Sequence, residues 1–411
     1  MRTDRWLMIA IVVVLAASAV VFAMKSRTPA LRGRPDVDSS IGSLSLLVIG
    51  VKGLDTSIVE RLSEEGRLPN ITRLIEEGTL AEFETLDRGL DPKIVWTSLA
   101  TGVSPENQGI GGTRVSPRGE VVPAPLVPKS RTVGTLWTAL SEAGMPVGVV
   151  GWPGTWPVEE VEGAMVADYT VYYLERSHGG APKRLVYPTE LLDTVDPLVV
   201  PPGVYNRKDL AHFVNADEGL GLEALIGKGY EDLATAYAAD TSMRDVAFAL
   251  TAELPLEAEM VTLPGVEIVS QRFWLMANPD QIDWENLTEI VDEQVRGQIP
   301  ALGDVIDRFY VALDEAVGEL LTLAAEDATV AVVSDHGYDR LTYGEQGQPR
   351  TGAHMYDETG FWIMTGPRVA QGVRVEGRSL LDFAPTLAAA AGIELGDQVE
   401  GRVCREALAA Q

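Results

Sequence analysis

Short apolar runs that alternate with stretches of helical spacing are the feature that most constrains how this chain folds. The run Leu44–Gly50 is apolar and ends in glycine, as a buried parallel strand does. Further strands are predicted at 147–150, 329–333 and 361–364, and helices at 55–65, 68–77, 132–143 and 380–391. This order predicts an α/β domain with a mostly parallel sheet that helices cover on both faces. In such sheets functional groups gather at the carboxyl ends of the strands, where Lys52 and Asp335 stand.

The N-terminal segment carries an apolar run from Trp6 to Met24, preceded by Arg2 and Arg5. That run is about long enough to span a bilayer, so we predict an uncleaved transmembrane anchor over residues 1–24. The sequence Val21–Ala23 is also compatible with a signal-peptidase site, which leaves cleavage as an alternative. Residues 25–42 are rich in Arg, Pro, Gly and Ser and predict a linker, so the folded domain is expected over 43–411.

Composition narrows the classes of partner and of metal site. The formal charge is −27, with 60 acidic against 33 basic residues, and such a surface repels nucleic-acid phosphates. Cys404 is the single cysteine, which excludes an intramolecular disulfide and a cysteine-based zinc site. We therefore expect no nucleic-acid partner.

The stretch from about 170 to 260 differs from the alternating pattern around it. It has helical spacing, is acidic, and is interrupted by Pro197 and by Pro201-Pro202. We predict that it forms a helical insertion or cap beside the sheet.

Several segments, in order between about 44 and 405, together resemble one protein family. They include Trp96–Gly102, Gly151-Trp152, Arg272–Trp274, Val332–Tyr338, Gly352–His354 and Leu381–Thr386. The set resembles the type I phosphodiesterase and nucleotide-pyrophosphatase branch of the alkaline-phosphatase superfamily, and in particular its bacterial, membrane-anchored members. The resemblance implies an alkaline-phosphatase-like fold with two divalent metals, usually zinc, that activate a Thr or Ser nucleophile.

Several positions that the resemblance assigns to this chemistry hold unsuitable residues. Lys52 stands where the family has its first aspartate ligand, and Pro92 stands at the nucleophile position. Glu267 and Gln271 replace an Asp-x-x-x-His pair, whereas the positions of Asp335, His336 and His354 keep the family's ligand types. The resemblance therefore implies a degenerate metal site of low occupancy at Asp335, His336, His354 and Glu267.

Lys52 suggests how such a site is stabilised without metal. We hypothesise that its ammonium group pairs with Asp335 or Glu267, because a buried carboxylate without a partner is costly. No cofactor is then expected, and the chain is predicted to be a catalytically impaired member that binds a ligand or a partner.

Two alternatives stay open. The first is an active, divergent hydrolase of phosphoric or sulfuric esters, whose rebuilt or single-metal site holds Zn or Mn. The second, weaker alternative is a transferase of phosphorylated headgroups.

The predicted anchor, together with the usual location of anchored members of the family, implies a single-pass protein of the cell inner membrane. Its domain is expected to face the periplasm. The expected partners are inner-membrane lipid around the anchor, and an unidentified protein or a phosphate- or sulfate-ester ligand.

Overall fold

The structure is a computed structural model that describes residues 42–86, 90–111, 113–115, 121–123, 125–170, 184–215, 225, 227–281, 289–338, 356–357 and 359–410. The predicted anchor and all but the last residue of the predicted linker lie outside these ranges. Among the described residues, no helix has both the length and the apolar character that a bilayer span requires.

The strands of the described chain form one large sheet and two short ladders. In chain order they are Leu44–Val51 (β1), Thr79–Glu84 (β2), Thr113–Val115 (β3), Val121–Pro123 (β4), Val147–Val150 (β5), Gly163–Val166 (β6), Val186–Tyr187 (β7), Ala258–Leu263 (β8), Ala324–Ser334 (β9), Gly337–Tyr338 (β10), Tyr356–Asp357 (β11), Thr359–Thr365 (β12) and Val373–Ser379 (β13). The large sheet has the order β13-β2-β12-β9-β1-β8-β5-β6-β7, and β3–β4 and β10–β11 pair separately.

The centre of the large sheet is parallel, as the sequence predicts. Strand β1 pairs in parallel with β8 and β9, and β5 pairs in parallel with β8 and β6. Strand β12 runs antiparallel to β2 and β9, and β7 runs antiparallel to β6. The prediction of a mostly parallel sheet is therefore confirmed.

Helices cover this sheet on both faces. They are Thr56–Glu64 (α1), Pro69–Glu77 (α2), Pro92–Thr101 (α3), Pro105–Gln108 (α4), Leu136–Glu142 (α5), Leu192–Val195 (α6), Gly227–Glu253 (α7), Gly265–Ala277 (α8), Glu289–Leu302 (α9), Val305–Leu320 (α10) and Phe383–Ala391 (α11). All six residues of β8 are buried, which requires cover on both faces of the sheet.

The helix starts show why these segments fold where they do. Asp55 is the N-cap of α1, and its Oδ1 accepts hydrogen bonds from the backbone N–H groups of Ser57 and Ile58. Helix α2 has no cap from its own chain neighbours. Instead Asp314 of α10 accepts a hydrogen bond from the Ile71 N–H at 2.8 Å, which joins the two helices.

The range predicted as a helical cap contributes in part to the sheet layers. Its strand β7 pairs at the edge of the large sheet, and its helix α7 packs against β5 and β8. A capping role for residues 170–260 stays a prediction.

A carboxyl group lies in the core between β8 and α7. The Glu259 side chain is fully buried, and one carboxyl oxygen accepts a hydrogen bond from the Thr251 hydroxyl. Its Oε1 has no hydrogen-bond partner in the described structure. Burial raises the pKa of Glu259 from 4.5 to about 8, against the opposing effect of the Thr251 bond.

This group makes stability depend on pH in a defined direction. Between pH 4.5 and about 8 the unfolded chain loses a proton that folded Glu259 keeps, so the free energy of unfolding falls as pH rises. The fall is at most about 1.4 kcal/mol per pH unit. We expect Glu259→Gln to reduce the slope of the unfolding free energy in urea curves measured from pH 5 to 8, and the exposed-site control Glu257→Gln to leave it unchanged. Asp240, whose pKa burial raises to about 7, maintains part of the slope in both variants. Equal slopes for Glu259→Gln and the wild type would contradict the assignment.

Candidate functional site

The carboxyl ends of β1, β8 and β9 meet at one edge of the sheet. The chain leaves β1 through Lys52 and turns at Gly53, whose φ of 70° is open to glycine at little cost. The Lys52 N–H donates to the Leu263 carbonyl at 3.1 Å, and the Leu54 N–H donates to Ser334 Oγ at 2.9 Å. These bonds tie the turn to the ends of both neighbouring strands, so the position of Lys52 is fixed by the sheet.

An ion pair occupies the space in front of this turn. Lys52 Nζ pairs with Glu267 Oε2, and the two side chains are only 18% and 8% exposed. Glu267 lies in the first turn of α8, where a carboxylate also interacts favourably with the helix dipole. Gln271, one turn later, donates from Nε2 to Glu267 Oε1 at 3.4 Å. Both oxygens of Glu267 therefore face donors of this chain, and the hypothesised pairing of Lys52 with Glu267 is present.

Asp335 and His336 follow β9 and are buried, at 2% and 5% exposure. Asp335 Oδ2 lies 3.8 Å from His336 Nε2, and His336 Nδ1 lies 2.9 Å from the Gly337 carbonyl oxygen. Burial raises the pKa of Asp335; His336 and Lys52 oppose this rise, and Glu267 adds to it. Lys52 therefore acts on both acids, by direct pairing with Glu267 and by its charge on Asp335.

Pro92 is the first residue of helix α3, at the same edge of the sheet. Asp91 is the N-cap and accepts a hydrogen bond from the Lys93 N–H at 2.9 Å. Proline suits this position, because its missing N–H would have had no partner within the helix. Pro92 is thus well placed for starting the helix, and it brings no nucleophilic atom.

A cavity of about 260 Å³ lies beside the ion pair and reaches Lys52 and Pro92. It is also lined by Lys93, Asp168 and Thr262, which our sequence reasoning did not select. Asp168 comes at the end of the β6 segment, where functional groups are expected in parallel sheets, and this signal could have found it.

Lys93 and Asp168 each contact neighbouring groups of the chain. Lys93 Nζ lies 4.6 Å from the centroid of the Tyr169 ring, within cation–π range. Asp168 Oδ2 accepts a hydrogen bond from the Gly154 N–H at 3.1 Å. Burial raises the pKa of Asp168, opposed by that bond and by the charges of Lys93 and Lys52.

The described residues do not fit the two metals that the family resemblance implies. A cationic side chain pairs with Glu267, an amide faces its other oxygen, and Pro92 supplies no nucleophile. Within the described ranges, no three His, Cys, Asp or Glu side chains are grouped so as to hold a metal ion. His354 lies outside the described residues, so its part in a site stays a prediction, as do the ligand roles of Asp335, His336 and Glu267.

Comparison with known proteins agrees with this fold. The family model for type I phosphodiesterase / nucleotide pyrophosphatase matches residues 46–349, about three quarters of the chain. No curated protein matches the chain in sequence.

Solved structures resemble it over most of its length. A putative sulfatase from Bacteroides thetaiotaomicron has 14% identity and a TM-score of 0.50, with 88% of this chain and 74% of that chain covered. Human ectonucleotide pyrophosphatase / phosphodiesterase 5 has 11% identity and a TM-score of 0.49, with 89% of this chain and 100% of that chain covered. At such identities the likeness to the sulfatase shows the fold alone.

The ion pair gives a stability prediction. Lys52→Met leaves the Glu267 carboxylate largely buried without its cation, so we expect a loss of about 3 kcal/mol in the free energy of unfolding. The double variant Lys52→Met/Glu267→Gln should recover part of that loss, because it buries no unpaired charge. Both are measured by urea unfolding at pH 7.

A matched control is the exposed pair of Arg374 and Glu60, whose side chains are 57% and 45% exposed. Arg374→Met should cost less than about 1 kcal/mol, because water already screens that pair. If Lys52→Met costs no more than Arg374→Met, the ion pair does not hold the site together.

Proposed function

The chain belongs to the type I phosphodiesterase / nucleotide pyrophosphatase family of the alkaline-phosphatase superfamily, and we propose that it is a member that works without the family's two metals. On this proposal it does not hydrolyse esters by the two-metal mechanism. It keeps the fold and the cavity beside Lys52 for binding at the cell envelope.

This proposal rests on the contacts that the Glu267 carboxylate already makes. Lys52 meets one oxygen and Gln271 faces the other, so a metal would have to displace both contacts. It would also have to approach a fixed ammonium group, and like charges in a partly buried site repel strongly. The ammonium group supplies to Glu267 the positive charge that a metal would otherwise supply.

Two hydroxyl groups on the same helix as Pro92, those of Thr97 and Ser98, are poorly placed to act as a substitute nucleophile. The Thr97 hydroxyl donates to the Lys93 carbonyl at 2.6 Å, and the Ser98 hydroxyl donates to Gln108 Oε1 at 3.3 Å. Thr97 and Ser98 are 3% and 0% exposed. Both hydroxyls hold the helix in its packing, which leaves neither of them presented to a substrate.

One observation favours the alternative of a single-metal hydrolase. Asp335 Oδ1 is buried and has no hydrogen-bond partner in the described structure, next to His336. A zinc or manganese ion bound there together with His354 would satisfy that oxygen and could activate a water molecule. The two functions differ in metal content and in turnover, so one experiment separates them.

That experiment measures bound metal and hydrolysis on the same sample. We expect the full chain, purified in detergent and equilibrated with zinc and manganese, to hold well below one ion per chain. We expect no hydrolysis of bis-p-nitrophenyl phosphate above background. The triple variant Lys52→Asp/Pro92→Thr/Gln271→His restores the family residues and should take up more metal than the wild type.

The outcomes decide between the two functions. About one ion per wild-type chain, with turnover that His336→Ala abolishes, would replace the binding proposal with the single-metal hydrolase. His212→Ala is the matched control, because His212 lines a different surface groove and is not needed by either function.

We further propose that residues 1–24 tether the domain to the inner membrane, with the domain on the periplasmic side. The apolar run from Trp6 to Met24 supports this. Deletion of residues 1–42 should move the protein from the membrane fraction to the soluble fraction of lysed cells. Intact spheroplasts should allow added protease to digest the domain; protection from protease would contradict the periplasmic side.

A further inference from the structure

We propose that the cavity beside Lys52 binds a small zwitterion, whose acid group is held by Lys93 and whose ammonium group is held by Asp168. This ligand class rests on the proposed function, because it requires a cavity that metals and their substrate do not occupy. The inference comes from the charges that line the cavity and from the contacts that each of them already makes.

The cavity carries charge of both signs. Its lining includes two lysines, Lys52 and Lys93, and two aspartates, Asp91 and Asp168. A plain anion would be repelled by the aspartates and a plain cation by the lysines. A ligand with separated positive and negative groups can satisfy both, as electrostatic complementarity requires.

All four groups have contacts, but these differ in kind. Lys52 is paired with the Glu267 carboxylate, whereas Asp91 and Asp168 each accept a backbone N–H, from Lys93 and from Gly154. Lys93 lies against the Tyr169 ring, and in the described structure no carboxylate forms an ion pair with it. Lys93 and Asp168 lie on separate elements, α3 and the end of the β6 segment, and both line the cavity. In the described structure the two do not form an ion pair with each other within 4.0 Å, although each charge influences the other's pKa.

Two residues that line the cavity each have a polar side-chain atom without a hydrogen-bond partner. Asp168 Oδ1 and Thr262 Oγ1 are both buried and have no hydrogen-bond partner in the described structure. Thr262 is 1% exposed, so solvent does not reach its side chain freely. Buried polar atoms without a partner are costly, and a ligand reaches these two only after a small shift of their side chains.

The size and the remaining walls limit the ligand. The volume of about 260 Å³ is below the roughly 300–1,000 Å³ of pockets for drug-sized molecules. The rest of the lining includes the apolar residues Pro153, Ala239, Met243 and Pro264. A short hydrocarbon spacer between an acid group and an ammonium group matches this arrangement.

The test uses three zwitterions with one two-carbon spacer and different acid groups: 2-aminoethylphosphonate, taurine and β-alanine. Ethylphosphonate and ethylamine are matched probes that each lack one of the charges. We expect isothermal titration of the full chain in detergent to show saturable binding of at least one zwitterion. Its affinity should exceed that of both single-charge probes by tenfold or more. The acid preference then tells a phosphonate or sulfonate source from a carboxylate source.

Variants assign the two ends of the ligand. Lys93→Met should weaken binding of the preferred zwitterion by tenfold or more. Asp168→Asn, which keeps the side-chain shape, should weaken the zwitterion by a similar factor and leave ethylphosphonate unchanged or tighter. Lys129→Met, at an exposed lysine outside the cavity, should match the wild type. Circular dichroism confirms that each variant is folded.

Unchanged affinity in Lys93→Met and Asp168→Asn, or no zwitterion binding by the folded wild type, would overturn the ligand assignment. Metal content of the same samples keeps the two proposals separate. About one ion per chain with ester hydrolysis overturns the proposed function. A metal-free chain that binds no zwitterion overturns the ligand class and leaves the proposed function standing.

Discussion

The ion pair between the Lys52 ammonium group and the Glu267 carboxylate determines which charges the site presents. It joins the end of the central strand β1 to the first turn of helix α8, across the edge where β8 and β9 also end. Each partner would be costly to bury alone, so the pair is stable only while both are present. Gln271 donates to the same Glu267 carboxylate, and the charges of Lys52 and Glu267 act in opposite directions on the pKa of Asp335.

Much of the frame around this pair could be predicted from local sequence. The apolar run at Leu44 becomes β1, Asp55 caps the first helix, and Asp335 follows a buried strand, because each depends on near neighbours in the chain. The pairing of Lys52 could be anticipated as well, since a charge of that sign at a buried strand end needs an acid nearby.

The cavity could not be predicted in the same way. Lys93 in helix α3 and Asp168 after β6 are far apart in the chain, yet both line one cavity, and the place of β6 beside β5 in the sheet is part of what brings Asp168 there. Strand order is a tertiary property that periodicity does not contain. The same holds for Asp314, which caps a helix more than two hundred residues away, and for the buried Glu259. In each case the residue type can be read from the sequence, but the neighbouring group that determines its role comes from another part of the fold.

The positive charge of Lys52 is covalently part of the chain, so it does not depend on the supply of metal ions in the medium. A bound ion exchanges with the medium, so its occupancy varies with metal supply, competing chelators and the concentration of free protein. A side-chain ammonium group is present in every copy at the moment of folding, and its turn is fastened by Leu263 and Ser334. Copies of this chain made during zinc scarcity and during zinc plenty would therefore carry the same positive charge at this edge of the sheet.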